Sequence, residues 1–333
     1  MNCKVSFIII GKNEAPNIEK CINSIKRLNY NSYEIIYIDS NSTDNSEEIL
    51  LNYSDVKYYK IISNRYTAAL ARSIGIDKSN GEYIFFLDGD MEVETDLDYC
   101  LNLLESNEVG IVSGELKDIW IKDNKIINVI NNTFNVTKEL EELKSPGGYF
   151  LTKKIDYLQS GGFKKELRCN EEVDLFSRYK KNNKKIYRTN KMCCIHNNIK
   201  DNKGKNHIVR MKEGYYTDVI RVIIDSIRFN YFKEYLSFRA QVVMIRSIII
   251  TILMMGCIIF SLKESMFLSI PIIYFLLLSV KYKFNIKLLK HNQVNNIMII
   301  LSIFLLGKNN KLEYEVVDMR EVGEKNENKI RAY

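Results

Sequence analysis

The sequence predicts an α/β protein, with a Rossmann-like, mostly parallel sheet over residues 1–208 and a helical, membrane-associated region after it. Three observations predict this. Short apolar runs alternate with amphipathic segments up to Asp90. The run Tyr83-Ile84-Phe85-Phe86-Leu87 follows Asn80-Gly81 and ends abruptly in Asp88-Gly89-Asp90. An aromatic- and Ile-rich run of that length suits a central strand better than a helix. Finally, residues 247–262 and 265–280 are uncharged, each slightly short of the ~20 residues that a membrane span needs.

Taken in order, residues 5–10 form a buried strand and 11–14 a turn. Pro16 opens a helix to about Arg27, with Ile18, Cys21, Ile22 and Ile25 on one face. Residues 34–38 form a second strand ending in Asp39. A Ser/Asn-rich turn follows, and Thr43 or Asp44 can cap a helix over 46–51. Residues 56–62 are a third strand and 67–78 a third helix. This alternation implies right-handed crossovers and parallel strands. Gly11–Glu14, Asp39 and Asp88-Gly89-Asp90 then line one sheet edge, at the carboxyl ends of strands where open α/β sheets bind ligands. Gly89 lets the backbone turn so that both carboxylates face one point. Two such oxygens suit Mg2+ or Mn2+, with water and substrate phosphates completing the shell. The same three residues also fit a solvated acidic turn.

Past Glu94 the pattern loosens. Residues 109–120 are strand-like, 135–143 helical, and 149–152 a short strand after Pro146-Gly147-Gly148. Gly161-Gly162-Phe163 makes a turn. A helix runs from Glu171 to about Lys181 with Val173, Phe176 and Tyr179 inward. Glu171, Glu172 and Asp174 crowd its first turn, where the helix dipole alone favours acids. Residues 186–188 and 192–195 read as edge strands before His196.

Composition excludes several classes. At 333 residues, 46% hydrophobic and 27% charged, the chain can bury a large core. A net charge of +7 without a basic, aromatic-laced run argues against nucleic acid. Cys3, Cys21, Cys100, Cys169, Cys193, Cys194 and Cys257 are odd in number and irregularly spaced, which points to reduced cytosolic thiols. No signal peptide precedes the first strand, so the N-terminal part is expected in the cytoplasm. Residues 39–44 begin like a calcium loop but lack its Gly and its final Glu. Neither G-x-G-x-x-G nor a P-loop occurs. Cys193, Cys194 and His196 lack zinc-ligand spacing.

The joint order of several pieces resembles the family-2 glycosyltransferases of GT-A fold, over about residues 4–200. The pieces are residues 5–10 with Asn13-Glu14; 34–39 with Ser42-Thr43-Asp44; Ala71-Arg72 with Gly75; 81–90; Gly161-Gly162-Phe163; and Glu171-Glu172-Val173-Asp174-Leu175 with Arg178. The resemblance implies inverting transfer from a nucleotide-sugar. By it, Asn13, Glu14 and Asp39 line the nucleoside pocket, Arg72 lies near the pyrophosphate, and Asp88 faces the ribose and sugar. Asp90 holds the metal, with Asp88 and His196 as further contacts. The base falls on Glu172, or on Glu171 or Asp174, because Glu172 stands where the family has Asp. Gly11-Lys12-Asn13 replaces the usual Pro-Thr-x-Asn, and Ser73 the usual Asn. Gln-x-x-Arg-Trp is missing, which favours single-sugar transfer over processive synthesis.

Residues 209–241 mix basic and aromatic side chains with helical periodicity at Val219, Val222, Ile223 and Ile227. They fit an interfacial helix pair or ordinary packing. Residues 242–307 are expected as a membrane hairpin plus a re-entrant or interfacial segment, with a tilted third span as the alternative. Lys263-Glu264 is the outer loop. Lys281, Lys283, Lys287 and Lys290 put both hairpin ends in the cytoplasm. Residues 308–333 read as a mixed-charge cytoplasmic tail. The resulting expectation is a multi-pass cell-membrane enzyme with a cytoplasmic catalytic domain and a lipid-linked or glycan acceptor. A sugar-phosphate nucleotidyltransferase and a non-catalytic membrane protein are the competing readings.

Overall fold

Apolar runs of Ile, Val and aromatic residues lay down four parallel strands: β1 (Val5–Gly11), β2 (Tyr33–Asp39), β3 (Val56–Ser63) and β4 (Tyr83–Asp88). The computed structural model describes residues 4–123, 125–199, 207–261, 286–302 and 312–321. Both faces of β1 and β4 are covered, so these strands are apolar almost throughout rather than alternating. Register places Gly11 of β1 level with Asp39 of β2, and Ile10 level with Asp88 of β4. The strand ends expected to carry chemistry are therefore adjacent.

Helices α1 (Ile18–Lys26), α2 (Ser46–Leu51) and α3 (Ala68–Lys78) connect these strands. α1 buries the predicted face of Ile18, Cys21, Ile22 and Ile25. Thr67 caps α3, its Oγ1 accepting from the Leu70 N–H at 2.9 Å. The remaining elements of this unit are β5 (Met91–Thr95), α4 (Leu97–Glu105), β6 (Val109–Lys122), β7 (Lys125–Ile130), β8 (Leu140–Glu142), β9 (Phe150–Lys153), α5 (Lys154–Gln159), α6 (Glu171–Lys181), β10 (Lys185–Ile199) and β11 (Tyr314–Asp318). The strands form one 11-stranded sheet in the order β11-β3-β2-β1-β4-β9-β6-β10-β5, with β7 on β6 and β8 on β10.

That sheet is mixed, which corrects the mostly parallel expectation. The parallel half is β3-β2-β1-β4, and β9 then runs antiparallel to both β4 and β6. Residues 135–143 are not a helix. Asn135 has a φ of 53°, and Leu140–Glu142 pair with Tyr187, Arg188 and Thr189. So short a stretch matches strand and helix periods equally well. The two edge strands near His196 are one long strand, β10, lying inside the sheet between β6 and β5. A register shift between Thr189 and Cys193 interrupts its pattern.

The tail differs too. Within residues 308–333, Tyr314–Asp318 are β11, antiparallel on β3. Arg320 fastens it by donating to the carbonyls of Leu50, Leu51, Tyr53 and Val56. The first compact unit is therefore residues 1–202 together with 311–333.

Residues 203–310 form the second unit. It contains α7 (His207–Lys212), α8 (Tyr215–Arg228), α9 (Phe232–Tyr235), α10 (Arg239–Ser261) and α11 (Ile286–Ser302). α8 buries Tyr216, Val219 and Val222 yet exposes Ile224 and Ile227. α10 exposes Val243, Ile249, Ile252 and Leu253. Asn296 of α11 donates to Ser247 Oγ and Thr251 Oγ1 of α10 at 2.8 and 3.2 Å. Among the described residues no helix is long and apolar enough to cross a membrane. The first uncharged stretch falls on α10 as far as Ser261. Lys263-Glu264 and the second stretch, 265–280, lie outside the described residues. Lys287 and Lys290 are helical, on α11.

Candidate active site

α3 delivers Arg72 beneath the end of β4, where it collects carboxylates from two elements. Its side chain is only 2% exposed. Nη2 donates to Asp88 Oδ1 at 2.9 Å and Nη1 to Glu172 Oε1 at 2.8 Å, with Glu171 Oε1 at 3.6 Å. The guanidinium also lies 5.6 Å from the centre of the Phe163 ring. Gly148 is required here, since a Cβ would come within 2.7 Å of Arg72 Nη2 and 2.9 Å of Asp88 Oδ2.

Electrostatics follow from this burial. Burial depresses the ionisation of Arg72, but Asp88, Glu172 and Glu171 outweigh it and raise its pKa. Burial and the neighbouring Glu172 push Glu171 up to about 8, against the pull of Arg72. Asp88 is raised too, burial outweighing Arg72. Glu172 keeps its side chain 18% exposed, against 9% for Glu171. Among the described residues only Arg72 pairs with it, through Oε1. Asp174 does not join this cluster. It is fully buried, and its carboxylate takes Lys164 at 2.9 Å and Arg178 at 2.6 Å. Arg178 also donates to the carbonyls of Ser160 and Gly162. Asp174 thus ties α6 to the turn at Gly161 and Gly162, whose φ values of 78° and 61° favour glycine.

Asp90 belongs to a second group. Gly89 sits between the two aspartates because space is short, not because φ is positive. A Cβ there would come 2.9 Å from Tyr37 Oη and 3.2 Å from Glu14 Cγ. The carboxylates of Asp88 and Asp90 do not face one point, which corrects the sequence expectation. Asp88 turns to Arg72, whereas Asp90 Oδ2 lies 3.2 Å from His196 Nε2. His196 Nδ1 is 2.8 Å from Asp118 Oδ1. Burial lowers the His196 pKa, but Asp90 and Asp118 lift it to about 9. Asp118 escaped the sequence reading; it shares β6 with Glu115, Lys117 and Lys122, so its charge alone does not mark it out.

Among the described residues no three His, Cys, Asp or Glu side chains gather as a metal cage. The residues present nonetheless fit a divalent ion held partly by substrate. Asp90 Oδ1 is buried without a hydrogen-bond partner among the described residues. The 3.2 Å between Asp90 Oδ2 and His196 Nε2 is close to the ~3.0 Å separating adjacent ligands around a six-coordinate ion at ~2.1 Å. Asp88 lies outside that pair.

The β1 and β2 ends complete the edge. Asn13, with φ 60°, accepts from the Thr43 N–H at 2.8 Å and so joins the two loops. Asp39 is fully buried, accepting from Ser42 N and Oγ and from Tyr58 Oη. Burial raises its pKa. Its oxygens shape the loop. Glu14 accepts from Asn17 at 3.0 Å, and burial with the nearby Asp90 and Asp88 lifts it to about 7 despite that bond.

Residues 6–164 match the model of glycosyl transferase family 2. That stretch is a family-2 glycosyltransferase domain. The chain is 32% identical over 119 residues to glycosyltransferase AglE of Haloferax volcanii, covering 34% of this chain and 39% of that one. It is 28% identical over 126 residues to the UDP-Glc:alpha-D-GlcNAc-diphosphoundecaprenol beta-1,3-glucosyltransferase WfgD of Escherichia coli, covering 37% and 49%. The chain thus spans less than half the length of both relatives. Its GT-A fold is shared with S. aureus TarS 1–349 in complex with UDP-GlcNAc, at a TM-score of 0.54, 15% identity, and 70% and 71% coverage. GalNAc-T7 with UDP, GalNAc and Mn2+ gives 0.52 at 17% identity, covering 66% of this chain and 47% of that one.

The raised pKa of Glu171 predicts a pH dependence. The folded domain keeps a proton that the unfolded chain releases between pH 4.5 and about 8. This contribution to stability is present below 4.5 and lost as pH rises through about 8. Thermal unfolding of Glu171→Gln should therefore gain on the wild type across that window. Parallel curves for the two proteins would contradict the assignment.

Proposed function

We propose that this protein is an inverting glycosyltransferase that moves one sugar from a nucleotide-sugar to an acceptor held at a membrane. The observation that carries the reading is the meeting of two groups one residue apart on a family-2 domain. Glu172, Arg72 and Asp88 form one, and Asp90 with His196 forms the other. The first group supplies a base for the acceptor, and the second would hold the divalent cation that offsets the charge of the leaving diphosphate.

Glu172 is the base. Arg72 fixes one of its oxygens and leaves the other for the acceptor hydroxyl. As the acceptor oxygen bonds to the anomeric carbon, the bond from that carbon to the diphosphate breaks. The hydroxyl proton passes to Glu172, a transfer worth ~10²–10⁴-fold. No covalent nucleophile takes part. Asp90 and His196 would hold Mg2+ or Mn2+, which when bound offsets the charge of the leaving diphosphate. Arg72 keeps Asp88 and the two glutamates in place with little room to reorganise. Asn13, Glu14 and Asp39 shape the nucleoside side. The names of the relatives and of the TarS complex support a UDP-sugar and a polyprenyl-diphosphate-linked or glycan acceptor.

Apolar side chains exposed on α10 support membrane attachment of the second unit. The chain leaves the catalytic unit after Asn202 and re-enters it at Lys311, where β11 joins β3. Membrane crossings between those points must come in pairs. The hairpin reading satisfies this, and a single additional span does not. The catalytic unit and its last strand share one side, the cytoplasmic one.

Purified protein given a panel of UDP- and other nucleotide-sugars with a polyprenyl-linked acceptor should release nucleoside diphosphate and transfer sugar with inversion. Glu172→Gln should cut turnover ~10²-fold or more with donor affinity barely changed. If Glu171→Gln shows that loss and Glu172→Gln does not, the base is Glu171. No release from any donor would remove the enzymatic reading.

Topology has its own check, with single cysteines in a background lacking the native ones. An impermeant thiol reagent on intact cells should label Lys263→Cys and leave Glu315→Cys protected. Labelling of Glu315→Cys from outside, or a monodisperse protein without detergent, would overturn the membrane arrangement.

A further inference from the structure

Asp118 lies on β6 directly across from His196 on β10, as Cα partners in a parallel pair. Its side chain is 11% exposed and its carboxylate fully engaged. Oδ1 meets His196 Nδ1 at 2.8 Å and accepts from Asn198 Nδ2 at 2.9 Å, and Oδ2 accepts from Thr133 Oγ1. A carboxylate held this way can only accept, so the imidazole proton sits on Nδ1. Nε2 is then left pointing at Asp90 Oδ2, 3.2 Å away. In the metal-free protein a proton on Nε2 bridges these two atoms, and a divalent cation would take that proton's place. Asp90 Oδ1, on the same carboxylate, is buried and without a partner among the described residues.

We propose that Asp118 is a positioning residue that locks His196 in its Nδ1–H form and so presents Nε2, beside Asp90, as a ligand for a divalent cation. Outer carboxylates that orient ligating imidazoles have this effect generally, and their loss typically weakens metal binding ~10–100-fold. Thr133 and Asn198 in turn hold Asp118, one on each oxygen. Sheet register explains the precision. Asp118 and His196 are fixed by backbone pairing, and the Asn197 N–H donates to the Asp90 carbonyl at 2.9 Å, tying Asp90 to the same strand. The inference rests on the metal-dependent reading above.

The test is Mn2+ binding to the full-length protein in the presence of UDP, followed by the loss of the free-ion EPR signal. Pulsed EPR of the bound ion then reads the nitrogen of a ligated imidazole. Wild type should bind Mn2+ with a nitrogen coupling that His196→Ala abolishes. Asp118→Asn should bind ~10–100-fold more weakly and show a reduced nitrogen coupling at saturation. Wild-type affinity with full coupling in Asp118→Asn would overturn the positioning role and leave the metal reading standing. No Mn2+ binding, or no nitrogen coupling, in the wild type would instead remove metal ligation by His196, and the inference with it. Should Asp118→Asn fail to fold, Thr133→Val and Asn198→Ala each remove one bond to Asp118. Each should weaken binding severalfold, and wild-type affinity in both would likewise overturn the proposal.

Discussion

One buried guanidinium organises this site. Arg72 is taken almost wholly out of water, a cost that only excellent geometry offsets. The offset comes from two hydrogen-bonded carboxylates on elements far apart in sequence, Asp88 at the end of β4 and Glu172 at the start of α6, with the Glu171 carboxyl 3.6 Å away. Each partner needs the others. Without Arg72, the carboxylates would repel one another in a poorly solvated space. Without them, a buried charge would stand unpaired. Gly148 leaves the room, Phe163 supplies a ring face, and the turn at Gly161 and Gly162 is held by the Asp174–Arg178 pair. The helix that carries the proposed base is therefore fixed to the strand that carries the aspartates.

Sheet register sets the rest. β4 ends level with β1, so Asp88, Gly89 and Asp90 emerge beside Gly11 and Glu14. The two aspartates then diverge, one toward the carboxylate–guanidinium cluster and one toward His196 and Asp118. In the proposed reaction this separates proton removal from diphosphate departure by a single residue. β6 and β10 hold the second half rigidly, because Asp118 and His196 are paired partners rather than loop residues.

Much of this was legible in the sequence, for physical reasons that also explain where legibility ended. The first four strands are apolar runs bounded by turns, and the α1 face of Ile18, Cys21, Ile22 and Ile25 repeats at helical spacing. Both signals are local. Asp90 and His196 were grouped through family resemblance, and the structure does bring them together. Asp174 looked equivalent to Glu171 and Glu172 because sequence shows only that all three share a helical turn. Its burial against Arg178 and Lys164 depends on a loop packed from elsewhere. Asp118 was missed because its partner lies across the sheet, and β11 because pairing with β3 spans most of the chain. Such long-range contacts leave no local period.

The central claim is that Arg72 and its carboxylates act as one unit. A double-mutant cycle on unfolding free energy, with Arg72→Met and Glu172→Gln, tests it most directly. Trp120, the single tryptophan, reports on the catalytic unit alone. The account predicts a coupling of about 1–3 kcal/mol between the two substitutions. Effects that add to within about 0.5 kcal/mol would show that the guanidinium and the proposed base are merely neighbours, and would contradict it.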